Sequence, residues 1–102
     1  MNGPKIEPDD LKAVQDILRA HLPGVEVRAF GSRVHGENLK PFSDLDLAII
    51  TESPLDIGKM AELKEAFAES SLPFKVDLLD WSVASGRFRD LAGHSFCVIR
   101  KK

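Results

Sequence analysis

The chain has 102 residues, 43% of them hydrophobic and 29% charged. That is the make-up of one modest globular core and excludes a disordered or membrane-embedded chain. Its net charge of −2 supplies no bulk attraction for nucleic acid.

The opening stretch, MNGPKIEPDDLK, lacks the apolar run of a signal peptide. No apolar segment approaches the length of a membrane span, so a cytoplasmic protein without membrane attachment is expected. The spacing of Leu11, Val14, Ile17 and Leu18 predicts a first helix over Pro8 to Leu22, with Asp9 and Asp10 at its positive end and Pro23-Gly24 as its stop. Val25 to Phe30 alternates and reads as a strand. Gly31-Ser32 breaks it. Asp44 to Thr51 is a second strand whose LAII run looks buried on both faces. Ile57 to Ser70 is a second helix, with Met60, Leu63, Lys64 and Phe67 along one stripe. Phe74 to Trp81 is a third strand. Gly86 to Ala92 reads as a short helix, and Phe96 to Ile99 as a last, β-prone segment. The lone cysteine, Cys97, has no partner for an internal disulfide or a zinc site and reads as a buried small side chain. Strands alternating with helices predict an α/β (α+β) fold, a small mixed sheet flanked by helices, in a single domain over 1–102.

The chemistry concentrates in GSRVHGENLKPFSDLDLAII, Gly31 to Ile50. A Gly-Ser turn at the end of a strand frees backbone N–H groups to cradle a phosphate, and Ser32 adds a hydroxyl. Gly36 allows a second close approach of backbone to a ligand. Arg33 and Lys40 are nearby cations. Asp44 and Asp46 are two apart at the start of a strand, so both carboxylates project to one face while Leu45, Leu47 and Ile49 project into the core. Two acids so placed repel each other unless a cation sits between them, and magnesium favours oxygen ligands of this kind. Asp77 lies mid-strand among apolar neighbours, where a charge needs a reason. With the third strand beside the second, Asp77 joins the pair. Three carboxylates would hold two metal ions about 3.5–4 Å apart, a geometry suited to in-line phosphoryl displacement, and Asp77 would also be placed to take a proton from an attacking hydroxyl.

Each feature has a plainer reading. Gly31-Ser32 alone is an ordinary turn, and Asp44, Asp46 and Asp77 taken singly are solvated carboxylates. His21, His35 and His94 lack partners that would make them ligands. Asp80, near the end of the third strand, reads as solvated. Trp81 reads as a core or rim residue, and Phe88 between Arg87 and Arg89 as a half-buried amphipathic turn.

Taken together, a Gly-Ser turn, a following glycine and Ser-Asp-x-Asp opening a hydrophobic strand resemble the DNA polymerase β-like nucleotidyltransferase superfamily, above all its minimal (MNT) members. The resemblance runs from Val25 to about Ile99. Gly31, Ser32, Asp44 and Asp46 match the defining motif, and Asp77 in KVDLLD matches the third acid. Eleven residues separate Ser32 from Asp44, slightly more than is usual in that family, a difference that a surface loop absorbs and that leaves the role of Lys40 open.

The resemblance implies a magnesium-dependent transfer of a nucleoside monophosphate, AMP from ATP, to a hydroxyl. It assigns Gly31, Ser32 and Arg33 to the nucleotide, and Asp44, Asp46 and Asp77 to metal and catalysis. Larger members carry a further helical domain for the acceptor. A chain this short does not, so the acceptor would bring its own surface. The minimal members are commonly paired with small helical HEPN proteins as antitoxin to toxin, which implies a HEPN partner protein as acceptor. The competing reading is a non-catalytic antitoxin that neutralises such a partner by covering it. A small-molecule acceptor needs a concave pocket that a homo-oligomer could build. A nucleic-acid acceptor is disfavoured by the acidic balance and the lack of an aromatic-basic stripe.

Overall fold

A computed structural model describes residues 6–31, 44–84, 86 and 96–101. Its elements in chain order are helix α1 (Pro8–His21), strands β1 (Glu26–Phe30) and β2 (Leu45–Ile50), helix α2 (Ile57–Ala68), strand β3 (Val76–Asp80), a one-turn 3-10 helix (Trp81–Val83) and strand β4 (Cys97–Arg100).

α1 begins where Pro8, which has no N–H to satisfy, takes the first turn, with Asp9 and Asp10 at its positive end and Arg19 and His21 at its negative end. The turn to β1 passes through Gly24, whose φ of 76° favours glycine. α2 is capped by Asp56, whose carboxylate accepts from the Lys59 N–H at 3.1 Å.

The strands form one mixed sheet in the order β3-β2-β1-β4. β1 runs antiparallel to β2 and to β4, and β2 runs parallel to β3. A parallel neighbour needs a crossover, which α2 supplies. Val27 pairs with Ile49 and Ala29 with Leu47, so these four share a face. They are fully buried there, as are Leu45, Val14 and Leu18 of α1 and Leu63 of α2. Both helices belong to this single core. Asp46, Asp77, Arg28 and Phe30 alternate onto the second face of the sheet. The expected α/β (α+β) class is therefore present, as is the expected order of the two longer helices and the four strands.

The differences are local. β2 and β3 are shorter at both ends than expected, because Asp44 and Phe74 precede the ladders and Trp81 turns into the 3-10 helix. Lys64 is exposed beside the buried Leu63 and Phe67, which places it at the rim of the α2 stripe. Gly86 is helical. The rest of the expected helix to Ala92 lies outside the described residues.

Asp80 requires a correction. Instead of being a solvated strand end, its carboxylate accepts from the Leu55 N–H at 2.6 Å, the Ser82 N–H at 3.0 Å and the Ser82 hydroxyl at 2.7 Å. It thereby ties the entry to α2 to the end of β3. Burial alone would raise its pKa, and these hydrogen bonds outweigh that and hold it below the ordinary carboxylate range. In sequence, DWS carried a signal for this role, since an Asp two residues before a Ser N–H is a capping pattern.

Candidate functional site

The carboxylates meet where β1 ends and β2 and β3 begin. The parallel register sets Asp46 opposite Asp77, and the antiparallel register sets Phe30 opposite Asp46. Three side chains from three strands thus stand in one row across the second face. The hydrogen bond from Leu45 N–H to the Lys75 carbonyl, 2.8 Å, locks the two strand starts together just before that row.

Asp46 is half-buried. Burial first, then the charges of Asp77 and Asp44, then a hydrogen bond with Asp77 raise its pKa from 3.8 to about 6. A cation between the two carboxylates would neutralise the same charges. Asp44 is exposed at the mouth and contributes to the same negative field.

Gly31 follows Phe30 with φ of 82°. A Cβ placed on it would lie 2.4 Å from Asp46 Oδ2, so only glycine lets the turn pass over the carboxylate. The expected site residues Asp44, Asp46, Asp77 and Gly31 are therefore brought together. Ser32 and Arg33, together with His35, Gly36 and Lys40, lie outside the described residues.

An open cavity of about 420 Å³ adjoins the acids, lined by Phe30, Asp46, Asp77, Leu78 and Leu79. The Phe30 ring meets Phe96 edge-on at 6.3 Å, and Phe96 meets Trp81 in the same way at 5.4 Å. The Arg28 guanidinium sits 5.4 Å from the centre of the Phe96 ring and pairs with Glu26. The sequence reading singled out none of Phe30, Phe96 and Leu79. Their spacing is that of ordinary strand residues, and only the register sets them beside the acids.

Among the described residues no three His, Cys, Asp or Glu side chains form a closed metal cage. Magnesium does not need one, since it commonly takes one or two carboxylates and completes its shell with water and substrate phosphates. An open pair of repelling carboxylates with a third at the mouth fits that habit. Chemically, the arrangement can bind a cation on one side and accept a proton on the other.

Residues 11–96 match the sequence model of the Nucleotidyltransferase domain family. The chain is 50% identical over 97 residues to the "probable protein adenylyltransferase MntA" of Haemophilus influenzae, which spans 95% of this chain and 84% of that one. It is similar in structure to a toxin-antitoxin crystallised with AMP-PNP, with a TM-score of 0.72 and 26% identity over 90% of this chain and 73% of the other. In fold it is also like a chain in the complex of a tri-AMPylated Shewanella oneidensis HEPN toxin with its MNT antitoxin, with a TM-score of 0.70 and 22% identity over 95% and 74%. None of the described helices is long and apolar enough to cross a membrane. With a matching family model over most of its length, paired aspartates entering β2 and a third opposite on β3, the chain belongs to the nucleotidyltransferase domain family.

Proposed function

We propose that this nucleotidyltransferase transfers AMP from ATP to a hydroxyl of a small helical HEPN-type partner protein, as the antitoxin of a toxin-antitoxin pair. The observation that carries the mechanism is the register of Asp46 opposite Asp77 beside the glycine turn. The relatives' names and complexes support the choice of nucleotide and partner. The reading takes 1–102 as one catalytic domain working in the cytoplasm, where ATP is at hand.

Asp44 and Asp46 would hold magnesium, with Asp77 reaching a second ion or the acceptor. Magnesium, when bound, neutralises the triphosphate and draws charge from the reacting phosphoryl group. The turn at Gly31, with Ser32 and Arg33, receives the triphosphate tail. Asp77 accepts the proton of the acceptor hydroxyl. The acceptor oxygen bonds to the α-phosphorus, the bond from that phosphorus to the oxygen bridging to the β-phosphorus breaks, and pyrophosphate leaves toward the turn. Holding both partners in line supplies much of the rate.

The test is intact-mass spectrometry of the helical partner, co-expressed with the wild-type chain or with the Asp44→Asn, Asp46→Asn form. A mass gain in whole AMP units that needs both aspartates supports the reading. An unmodified partner in a stable complex overturns it in favour of neutralisation by binding.

A further inference from the structure

The acids stand on one face of the sheet, and α2 packs on the other. Leu63 and Phe67 are the buried residues of α2. Ile57, Ala61, Lys64 and Ala68 are exposed and recur at helical spacing, so they form one outward stripe. Two cavities flank this stripe. One, of about 320 Å³, lies at the start of α2 and is lined by Leu55, Ile57, Met60 and Asp80 among others. The other, of about 310 Å³, lies between the end of α2 and the start of β3, over Phe67, Leu72 and Phe74. Lys64 lines both. Together they make one groove along α2 and the edge strand β3, as long as the 12-residue helix itself, about 18 Å.

The groove is apolar with positive borders. Lys64 and Lys75 line it, and among the described residues neither pairs with a carboxylate. Glu62, Glu65 and Glu69 of α2 do not line it. Asp80, its one acid, is already held by the Leu55 and Ser82 N–H groups. Two unpaired cations beside the exposed Ile57 suit an occupant whose apolar residues are bordered by carboxylates. A second copy of the chain does not meet that need. Lys64 sits midway along the groove, and two-fold pairing through it would set Lys64 against its own equivalent.

We infer that this groove docks an amphipathic helix of the partner protein, one that carries acidic residues along the borders of its apolar stripe. The inference rests on the helical partner proposed above and not on the transfer step. The groove ends at Lys75, two positions before Asp77, but its lining includes none of Asp44, Asp46 and Asp77. The docked helix therefore holds the partner near the acids without occupying them.

The test is photocrosslinking of the full chain to the co-expressed helical partner, with mass spectrometry of the joined peptides. A photoreactive benzoylphenylalanine replaces Glu65, beside the stripe and outside the groove, or Val98, exposed on the opposite edge strand. The expected result is a crosslink from position 65 into an acidic helix of the partner and none from position 98. By calorimetry, Ile57→Ala and Lys64→Glu should each weaken the complex by about tenfold, with melting temperatures unchanged, and Val98→Ala should leave it as it is. A crosslink from position 65 to a second copy of the chain or to a partner segment without carboxylates overturns the inference. So does no crosslink to the partner, or wild-type affinity in both groove variants. Failure of the transfer reading is seen separately, as a partner that binds the wild-type chain and stays unmodified.

Discussion

Asp46 and Asp77 stand opposite each other across the parallel β2–β3 ladder, where burial and the charge of Asp77 raise the Asp46 pKa. This relationship puts function and stability in opposition. The pair is useful only when it can gather a cation, and without one it strains the start of two strands.

The pH behaviour of the metal-free protein follows from Asp46. Its folded pKa, about 6, lies above the ordinary 3.8. A raised acid favours the fold while protonated, so its contribution is complete below the unfolded value and is lost as pH rises through the folded one. In EDTA, Asp46→Asn should melt above wild type at pH 7.5, with the gap shrinking toward pH 4. Magnesium should raise the wild-type melting temperature more at pH 7.5 than at pH 5 and leave Asp46→Asn nearly unmoved. Thermal scans at the three pH values decide this, and a gap that is flat with pH would refute the assignment. The same substitution should cut transfer by about a hundredfold or more, since a metal-held transition state is worth several kcal/mol.

Two glycines with similar backbones should separate strain from site chemistry. Gly31 and Gly24 have φ of 82° and 76°. A Cβ on Gly24 meets nothing within 4 Å, whereas one on Gly31 runs into the Asp46 carboxylate. Gly24→Ala should cost about 1 kcal/mol of stability, the price of a left-handed alanine, and leave transfer intact. Gly31→Ala should cost more and abolish most of the transfer. Urea melts with matched activity assays compare the two, and an active Gly31→Ala would contradict the close packing of the turn on Asp46.

Asp80 should behave as a structural anchor. Its hydrogen bonds outweigh burial and lower its pKa, so its stabilising effect is present above the ordinary carboxylate range and is lost as pH falls through the lowered folded value. Asp80→Ala leaves the Leu55 and Ser82 N–H groups, half-buried in the fold, without their acceptor. The expected loss is about 1–3 kcal/mol, and Asp80→Asn should lose less. Chemical denaturation at pH 7 measures both. A neutral Asp80→Ala would show that the loop between β2 and α2 holds without it.

Leu63 is the point where α2 enters the core, fully buried. Leu63→Ala should cost about 2–5 kcal/mol, or at least about 8 °C in melting temperature for a domain of this size. Ile57→Ala makes the contrast, since Ile57 is 87% exposed at the start of the same helix, and should change little. Calorimetry of the two variants checks which face of α2 faces the sheet.

Much of this was legible in the residues themselves. The 3.6-residue spacing in Pro8–His21 and the alternation in Glu26–Phe30 reflect local geometry, and each element formed within a residue or two of its expected bounds. Asp44 and Asp46 are two apart, so their shared side followed from the pleat of a strand. The glycine at 31 was legible as a turn. Local order determines such features because they depend on neighbours a few residues away.

What only the tertiary structure decided is the meeting of distant residues. Asp77 belongs with Asp46 because β3 pairs in parallel with β2, through a crossover that no local pattern specifies. Phe30 faces Asp46 because β1 pairs at one register and not at one shifted by a residue, which would turn every side chain over. Asp80 became an anchor because Leu55, 25 positions earlier, returns its N–H to the carboxylate. Strand register and loop return are settled by burial of the whole core at once, and for that reason they are absent from any short stretch of the chain.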